Sequence, residues 1–422
     1  MESKKAAKPA KPVKQTANLQ LVKETNLALI FNLIYKYRPV SRADLAKITR
    51  LSPTTVSSLV DELLHKKLVI ETGFMETGKS GRKAVLVDIN ETGRYVVSVE
   101  LVEDGFCCFF YNLLCKKTAG KKYLLKDLSN IGKDIVSAVE ESLEDGNIPE
   151  ESLIGINIGV PGLIDYGSGK VISSTVIAIS GDNSFYDTVK QRFSSIPVIL
   201  DNESSFCAYA EKEFGLGNSI KQLIYIDVNV GIGAGIILDG RIYRGAYGFA
   251  GEIGHMTIDM NGPKCKCGNR GCLEQLASIP AIIQKAVFAI MSGRETAIKS
   301  IIENDLNKIN IGVIGSAAEM GDELALEVIS ENAARLASGI NNVINMYNPQ
   351  IVVIGGEITR LGKVFLDKLR NCLEDISLKP VPSRTEIVYS SLGDNPATLG
   401  GARYMLDNIF NPPGMLTSAP KL

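Results

Sequence analysis

A histidine and three cysteines lie within 18 positions of the chain, at a spacing that could hold a metal ion. They are His255, Cys265, Cys267 and Cys272, and His255 is one of only two histidines in the sequence. Three thiols and one imidazole complete the tetrahedral shell typical of structural zinc. A catalytic zinc needs an open position for water, which four protein ligands do not leave. The motif therefore predicts a structural zinc site.

Inert thiols or disulfides are the alternative interpretation of these cysteines. Disulfides are typical of exported proteins, and the N-terminal residues lack the apolar segment of a signal peptide. No apolar run approaches the roughly 20 residues of a membrane helix. We therefore expect a cytoplasmic protein with reduced thiols. The five cysteines outside the cluster are expected in the core: Cys107, Cys108, Cys115, Cys207 and Cys372.

The cysteine motif is flanked by two glutamates, Glu252 and Glu274, and contains two glycines, Gly268 and Gly271. The glycines supply the backbone freedom that a tight loop around an ion needs. Because the four ligands already fill the shell, the two carboxylates are free for another role.

Positive charge is concentrated in the first 90 residues. These hold 16 Lys and Arg against 8 Asp and Glu, whereas the remainder holds 30 against 39, so the net charge of −1 conceals two oppositely charged parts. A length of 422 residues suggests two or three domains. The basic N-terminal part suits a polyanion such as DNA, and the acidic remainder does not.

Residues 1–18 carry five lysines among alanine and proline. Such a composition cannot bury enough apolar surface to fold, so we expect a disordered basic arm. The arm could contact phosphates weakly, or it could serve only as a solubilising tail.

Three helices are expected after this arm. Apolar residues recur at spacings of three and four from Asn26 onward, which predicts the first helix. The second is expected from Ser41, with Asp44 three residues later in a capping-box-like start. The third is expected to open with Ser52 as its cap and Pro53 at its first helical position.

The third helix predicts a DNA-reading surface. Its outer face carries short hydrogen-bonding side chains near the N-terminus, as in helices that enter a major groove. Two strand-like runs, residues 68–73 and 83–88, flank a basic loop that resembles the wing of a winged helix. An ordinary helical bundle with a solvated charged loop is the alternative. The candidate DNA contacts are Arg42, Thr54, Thr55, Ser57, Ser58, Lys79 and Arg82.

From Tyr95 onward, strand-like runs alternate with helical ones, the pattern of an α/β architecture. The segment Glu323–Tyr347 is long and amphipathic, which predicts a helix before the final strand. No short internal repeat is visible. The expected strands are Tyr95–Leu101, Leu153–Gly159, Val198–Leu200, Leu223–Val228 and Ile351–Ile354.

Polar residues follow the third of these strands. Asp201, Asn202 and Glu203 lie there, and open α/β sheets place ligands at this end of their strands. Asn202 can donate and accept hydrogen bonds, whereas Glu203, Glu252 and Glu274 offer acceptors, a set that suits a ligand rich in hydroxyl groups. Exposed turn residues are the alternative interpretation.

Three glycine-bearing turns also follow expected strands, at residues 159–162, 231–235 and 355–357. The central turn resembles a phosphate-cradling loop, but such a string alone is weak evidence. Glycine also permits tight strand ends, and we favour that structural interpretation.

Together these motifs resemble the ROK family (repressors, open reading frames and kinases), in its transcription-factor branch. The resemblance runs from about Asn26 to about Ile409. It rests on Ser41-Arg-Ala-Asp-Leu-Ala, Ser80-Gly-Arg, Gly231-Ile-Gly-Ala-Gly, Ala250-Gly-Glu-Ile-Gly-His and Cys265-Lys-Cys-Gly-Asn-Arg-Gly-Cys-Leu-Glu. The last two motifs are highly specific.

The resemblance implies an α/β fold with two domains and a tail. Residues 19–90 would form a winged helix-turn-helix, and residues 91–410 a two-lobed sugar-kinase fold of the actin-like, ribonuclease-H-like class. Residues 411–422 would form the tail. Structural Zn²⁺ would be held in the loop 255–272 by His255, Cys265, Cys267 and Cys272.

The resemblance also implies a sugar site. Family members that bind sugar hold its hydroxyl groups at positions matching Asn202, Glu203, Glu252, His255 and Glu274. His255 would then serve both the metal and the ligand, one ring nitrogen for each, and the metal would fix the direction of the ring.

Three departures from the kinase pattern of this family predict that the chain does not phosphorylate its ligand. Glu203 stands where catalytic members have an aspartate base, and a displacement of about 1 Å can cost a hundredfold in rate. Acidic Glu100-Leu-Val-Glu-Asp-Gly replaces the first phosphate loop, and Asn229-Val230 replaces a leading Gly-Thr in the second. We therefore expect no enzyme activity and no catalytic residues.

The leading hypothesis is a transcriptional repressor that binds operator DNA as a homodimer or tetramer and responds to a monosaccharide. The Asn202-Glu203 pair is similar to the xylose-repressor subgroup of the family, so xylose is the first expectation. Two alternatives are an active sugar kinase with an added DNA-binding domain and a repressor controlled by a protein partner.

Overall fold

The computed structural model describes residues 19–74, 84–125, 130–165, 168–174, 176–177, 179, 184–216, 219–378 and 384–411. Contacts divide the chain into two compact units. The first comprises Met1–Arg94 with Asp407–Leu422, and the second comprises Tyr95–Leu406. None of the helices in the described ranges has the length and apolarity that a bilayer span requires.

The first unit begins with three helices, two of which start at side-chain caps. Ser41 accepts a hydrogen bond from the Asp44 N–H (3.1 Å), and Ser52 accepts one from the Thr55 N–H (3.1 Å). Pro53 occupies the first helical position behind Ser52. Both predicted caps are confirmed, whereas the first helix begins earlier than its predicted start. The helices are α1 (Leu19–Tyr37), α2 (Arg42–Thr49) and α3 (Pro53–His65).

A three-stranded antiparallel sheet completes this unit. Its strands are β1 (Val40–Ser41), β2 (Val69–Phe74) and β3 (Val85–Ile89), in the order β1-β3-β2. Fully buried apolar side chains from all three helices, among them Ile34, Leu45 and Val60, form its core. The three helices and strands β2 and β3 match the elements expected here from the sequence, whereas β1, which lies between α1 and α2, was not predicted.

The second unit contains two five-stranded sheets. The strand order of the first sheet is β10-β7-β4-β5-β6. Strands β8 and β9 form a separate two-stranded ribbon. The strands are β4 (Tyr95–Val102), β5 (Gly105–Asn112), β6 (Lys117–Leu124), β7 (Leu153–Val160), β8 (Leu163–Asp165), β9 (Lys170–Ser173) and β10 (Val198–Asn202).

In the second sheet the order is β13-β12-β11-β14-β15. Its strands are β11 (Leu223–Val228), β12 (Ile232–Leu238), β13 (Arg241–Ile242), β14 (Ile351–Gly355) and β15 (Glu386–Tyr389). All five predicted strands of the chain are present, to within two residues at their ends. In this unit, strands β5, β6, β8, β9, β12, β13 and β15 were not predicted.

The two sheets repeat one topology. In each, the first strand pairs antiparallel with the second, the second pairs antiparallel with the third, and the fourth and fifth strands add in parallel on the other side. Each copy of this topology spans roughly a hundred residues or more, so it does not appear in the sequence as a short repeat. It confirms the predicted two-lobed α/β fold.

Helices flank each sheet, and each sheet has its own apolar core. The predicted helix Glu323–Tyr347 is confirmed at both ends. The helices are α4 (Ile131–Asp145), α5 (Ser184–Arg192), α6 (Glu203–Ala210), α7 (Leu273–Ala277), α8 (Ile279–Met291), α9 (Ala297–Ile301), α10 (Ile311–Glu319), α11 (Glu323–Tyr347), α12 (Gly362–Ile376) and α13 (Pro396–Phe410).

Candidate functional site

A cleft of about 390 Å³ in the second unit is lined by residues from both sheets. This volume lies in the range of small-molecule sites. Strand ends and the loops that follow them supply most of the lining, as expected for open α/β sheets. All five residues predicted to bind sugar meet here: Asn202, Glu203, Glu252, His255 and Glu274.

Asn202 connects β10 to α6, and most of its hydrogen-bonding capacity is used by the protein itself. Its Oδ1 accepts from the N–H groups of Ser204 (2.9 Å) and Ser205 (3.3 Å), which caps α6. Its Nδ2 donates to the Gly162 carbonyl (3.0 Å). One amide hydrogen therefore remains for a ligand, so Asn202 can act as a donor but its acceptor is occupied.

Glu203, the first residue of α6, has one carboxylate oxygen without a partner. Oε1 accepts from the Ser204 hydroxyl (3.0 Å), whereas Oε2 is buried without any hydrogen-bond partner. Burial raises the pKa of Glu203 well above its usual range, and the nearby carboxylates of Asp227 and Glu100 raise it further. A buried carboxylate oxygen without a partner is costly, so a ligand hydroxyl that donates to it would be stabilising.

Two further carboxylates, Glu100 and Asp227, lie on the wall of the cleft. Burial raises the pKa of Glu100 to about 7, and Asp227 adds to this by repulsion. Burial also raises the pKa of Asp227 to about 6, although a hydrogen bond from Asn229 (2.7 Å) opposes the change. Sequence analysis did not identify Asp227, whose only signal is a single acid within an apolar strand.

Glu274, at the N-terminus of α7, anchors the glycine turn that follows β11. Its Oε2 accepts from the Ile232 N–H (3.1 Å), and a Cβ at Gly231 would lie 3.1 Å from the same oxygen. The Glu274 carboxylate therefore already occupies the space beside Gly231 in this turn. The other oxygen of Glu274 is the one left for a ligand.

Glu252 lies in the turn just before His255, and its carboxylate lines the cleft. Burial raises its pKa, with His255 acting in the opposite direction and Glu274 adding to the increase. Within the described part of the chain, its side chain has no hydrogen-bond partner, which leaves both oxygens for a ligand.

The four predicted metal ligands also meet. The ligand atoms of His255, Cys265, Cys267 and Cys272 all lie within 4.8 Å of one another. The Sγ atoms of Cys267 and Cys272 are 3.7 Å apart, and the Nδ1 of His255 is 3.7 Å from the Cys265 Sγ. A tetrahedron with metal–sulfur bonds of about 2.3 Å has edges of about 3.8 Å. This donor set could therefore hold one metal ion.

His255 joins the metal cluster to the cleft. Its Nδ1 faces the thiols, and the residue also lines the cleft. The remaining ring nitrogen is therefore the one that could reach a ligand in the cleft.

The loop that carries the thiols depends on Gly271. This residue has φ +62°, and a Cβ placed on it would lie 1.5 Å from the Asp259 carbonyl oxygen. Gly268 has φ +97° but open space around it. All eight cysteines are free thiols, and the predicted core cysteines are buried except Cys372, which is half-buried.

The residues predicted to contact DNA do not share one environment. Thr54, Thr55 and Ser58 are exposed on α3, whereas Ser57 is half-buried. Arg42 is held by ion pairs to Asp61 (2.7 Å) and Glu71 (3.0 Å), which a DNA phosphate would have to displace. Two predicted contacts, Lys79 and Arg82, lie outside the described residues.

Comparisons with known proteins match most of the chain. The model of the ROK family matches residues 117–408. The xylose repressor of Caldicellulosiruptor bescii is 31% identical over 405 residues, covering 94% of this chain and 99% of that protein. The Escherichia coli K12 DNA-binding transcriptional dual regulator NagC is 30% identical over 402 residues, covering 94% and 97%.

Among solved structures, the chain is similar to a ROK family transcriptional regulator described as a homologue of the E. coli MLC protein. The two superpose with a TM-score of 0.79 at 28% identity, covering 92% of this chain and 97% of the other. The superposition therefore extends beyond the second unit of this chain, which ends at Leu406 and begins at Tyr95.

Proposed function

This chain belongs to the ROK family, and from that premise we propose that it is a sugar-responsive transcriptional repressor. Its first unit binds operator DNA, and its second unit binds a monosaccharide without phosphorylating it. The observation that carries the proposal is the cleft: it retains hydroxyl-binding groups, yet it is lined by acids where a nucleotide would need cations. The named regulators that it resembles match over almost the whole chain, including the first unit.

The sugar contacts follow from the hydrogen-bonding capacity left at each side chain. Asn202 offers one N–H, and His255 offers its second ring nitrogen. Glu203, Glu252 and Glu274 offer carboxylate oxygens to ligand hydroxyls. Alternating donors and acceptors of this kind suit the ring hydroxyls of a monosaccharide. Xylose remains our first candidate, because the Asn202-Glu203 pair is similar to that of the xylose-repressor subgroup.

We assign the metal cluster to structural Zn²⁺. Three thiols and one imidazole fit its preference for sulfur and nitrogen in a closed tetrahedral shell. When bound, the ion would hold the thiol loop and the His255 ring in place. Gly271 allows the thiol loop to close, and the His255 ring presents its second nitrogen to the cleft.

The cleft does not favour phosphoryl transfer. In the kinase pattern that the sequence resembles, the base is an aspartate, and the longer side chain of Glu203 would displace the carboxylate by about 1 Å, which can cost a hundredfold in rate. The nucleotide phosphates would meet Glu100, Glu103 and Asp104. Because catalysis of this transfer depends on positive charge at the phosphates, these residues oppose it.

The proposed DNA contacts comprise the exposed N-terminal part of α3, with Thr54, Thr55 and Ser58, and the basic segment around Lys79 and Arg82. We propose a homodimer, because paired reading helices recognise two half-sites of an operator. Sugar can alter operator affinity only if it binds one conformation of the protein better than the other.

One experiment tests the repressor proposal. The full-length protein would be used to select binding sites from random DNA duplexes, and the selected duplex would then be titrated in the presence of a panel of pentoses and hexoses. We expect at least one sugar to change operator affinity more than tenfold. If no sugar in a broad panel alters DNA binding, the sugar-sensing part of the proposal is wrong.

A second experiment tests the alternative of an active kinase, which the retained fold and sugar-binding residues favour. ADP release would be followed with ATP and the same sugars. We expect no sugar-dependent release, whereas turnover of roughly 1 per second or faster, typical of enzymes, would establish a kinase. The variant Glu203→Asp is the matched control. It reverses only one of the three departures from the kinase pattern, so it should not by itself make the protein a kinase.

A further inference from the structure

Apart from His255, the ionisable side chains that line the cleft are all acids. Among the described residues, the lining contains eight carboxylates and neither lysine nor arginine. One of the lining carboxylates, Asp104, is paired with Lys122 (2.8 Å). The carboxylates are Glu100, Glu103, Asp104, Glu203, Asp227, Glu252, Glu274 and Glu357.

Five backbone N–H groups around the cleft, which could otherwise bind an anion, are occupied by protein acceptors. The first amides of α6, at Ser204 and Ser205, donate to the Asn202 side chain. The Ile232 amide in the glycine turn donates to Glu274 (3.1 Å), and the Ile279 amide at the start of α8 donates to the Asn229 carbonyl (3.0 Å). Helix N-termini and glycine turns are common phosphate sites, but here protein acceptors already hold these donors.

The Asn229 side chain occupies a fifth backbone donor. Its Oδ1 accepts from the Glu357 N–H (2.7 Å), and its Nδ2 donates to Asp227 (2.7 Å). The loop after β14 therefore presents the exposed Glu357 carboxylate to the cleft while its first amide is bound.

We propose that the cleft selects a monosaccharide that carries no anionic group and rejects the phosphate esters of the same sugars. The inference rests on the proposed function, since it concerns the ligand of that same site. A phosphate monoester carries a charge of about −1.5 to −2 near pH 7. In this cleft it would meet carboxylates and, in the described lining, neither arginine nor lysine, and five of the backbone donors are already bound to protein acceptors. Uncharged hydroxyl groups, by contrast, find acceptors on every side.

The test compares matched pairs of ligands by isothermal titration calorimetry on the full-length protein. The pairs are D-xylose with D-xylose 5-phosphate, D-glucose with D-glucose 6-phosphate, and N-acetyl-D-glucosamine with its 6-phosphate. We expect any free sugar that binds to do so at least a hundredfold more tightly than its ester at low salt. An ester that binds as tightly as its free sugar would overturn the inference while leaving sugar sensing intact. If none of the six ligands binds, the sugar-binding part of the proposed function fails, and the inference that rests on it fails too.

Two exposed carboxylates at the cleft allow a sharper test. The double variant Glu103→Gln, Glu357→Gln removes two negative charges from the lining. We expect it to reduce the ratio of free-sugar to ester affinity at least threefold. The matched control Glu374→Gln, Asp375→Asn removes the same charge from exposed positions of α12. An unchanged ratio in the first variant, or an equal change in both, would show that the cleft charge does not select the ligand.

Discussion

Glu100 and Asp227 occupy equivalent positions in the two sheets. Glu100 on β4 lies opposite Gly159 on the parallel strand β7, and Asp227 on β11 lies opposite Gly355 on the parallel strand β14. Each is near the end of the first strand of its sheet, and each lines the cleft. The repeated topology thus brings two half-buried carboxylates from distant parts of the chain to one site.

Substitution of Glu100 tests the cost of this arrangement. Because burial raises its pKa from 4.5 to about 7, the folded state binds its proton more tightly than the unfolded state does. Its contribution to stability is therefore present at low pH and lost as pH rises from about 4.5 through about 7. We expect Glu100→Gln to be more stable than the wild type by about 3 kcal/mol at pH 8. The difference should disappear below pH 4.5, and urea denaturation at several pH values would measure it.

The exposed neighbour Glu103 is the control for this experiment. Glu103→Gln removes a carboxylate from an exposed position nearby and should not stabilise the protein at pH 8 as Glu100→Gln does. A Glu100→Gln variant that is less stable than the wild type at pH 8 would contradict the raised pKa.

His255 and Glu252 separate the metal site from the ligand site. His255→Ala removes a metal ligand and a cleft residue together, so we expect loss of zinc and of the sugar response. Glu252→Gln should abolish the sugar response but retain zinc, because Glu252 is not among the four clustered ligands. Plasma mass spectrometry and DNA binding with sugar would measure the two effects. Zinc loss in Glu252→Gln would refute these roles.

Gly271 and Gly268 form a matched pair for the thiol loop. Gly271→Ala combines a positive φ with a contact of 1.5 Å to the Asp259 carbonyl, and we expect it to lose zinc and more than about 3 kcal/mol of stability. Gly268→Ala has only the positive φ and should lose about 1 kcal/mol. Equal effects of the two changes on metal content and thermal unfolding would mean that the Asp259 contact relaxes freely.

Arg82 and Arg42 are predicted to differ in DNA binding. Arg82→Ala should weaken binding to all DNA sequences and lower the salt slope by about one, as expected for loss of one phosphate contact. Arg42 is engaged with Asp61 and Glu71, so Arg42→Ala should change the salt slope less and the stability of the first unit more. Fluorescence anisotropy at several salt concentrations would show both effects. A loss confined to one DNA sequence would mean that Arg82 reads bases.

Local signals predicted the parts of the fold that depend on neighbouring residues. The caps at Ser41 and Ser52 and both ends of the helix Glu323–Tyr347 follow from hydrogen-bonding and apolar patterns within a few positions. The metal cluster was predictable because its four ligands lie close together in sequence.

The missed features depend on contacts between distant segments. Asp227 is an isolated acid in an apolar strand, and only the pairing of β11 with β14 places it in the cleft. Strand β6 is largely exposed, so it lacks the alternating apolar pattern that predicts a half-buried strand. The occupied acceptor of Asn202 was not predictable either, since a cap requires knowledge of where α6 begins.

Each wall of the cleft rests on a separate apolar core, one beneath each sheet. Helix α6, however, contacts strands of both sheets, and its side chains form a third apolar cluster with β11 and β14. A change in the angle between the lobes would therefore leave the two cores intact but would have to repack the contacts of α6. In the proposed repressor, sugar can drive that change only by binding one arrangement of the lobes better than the other.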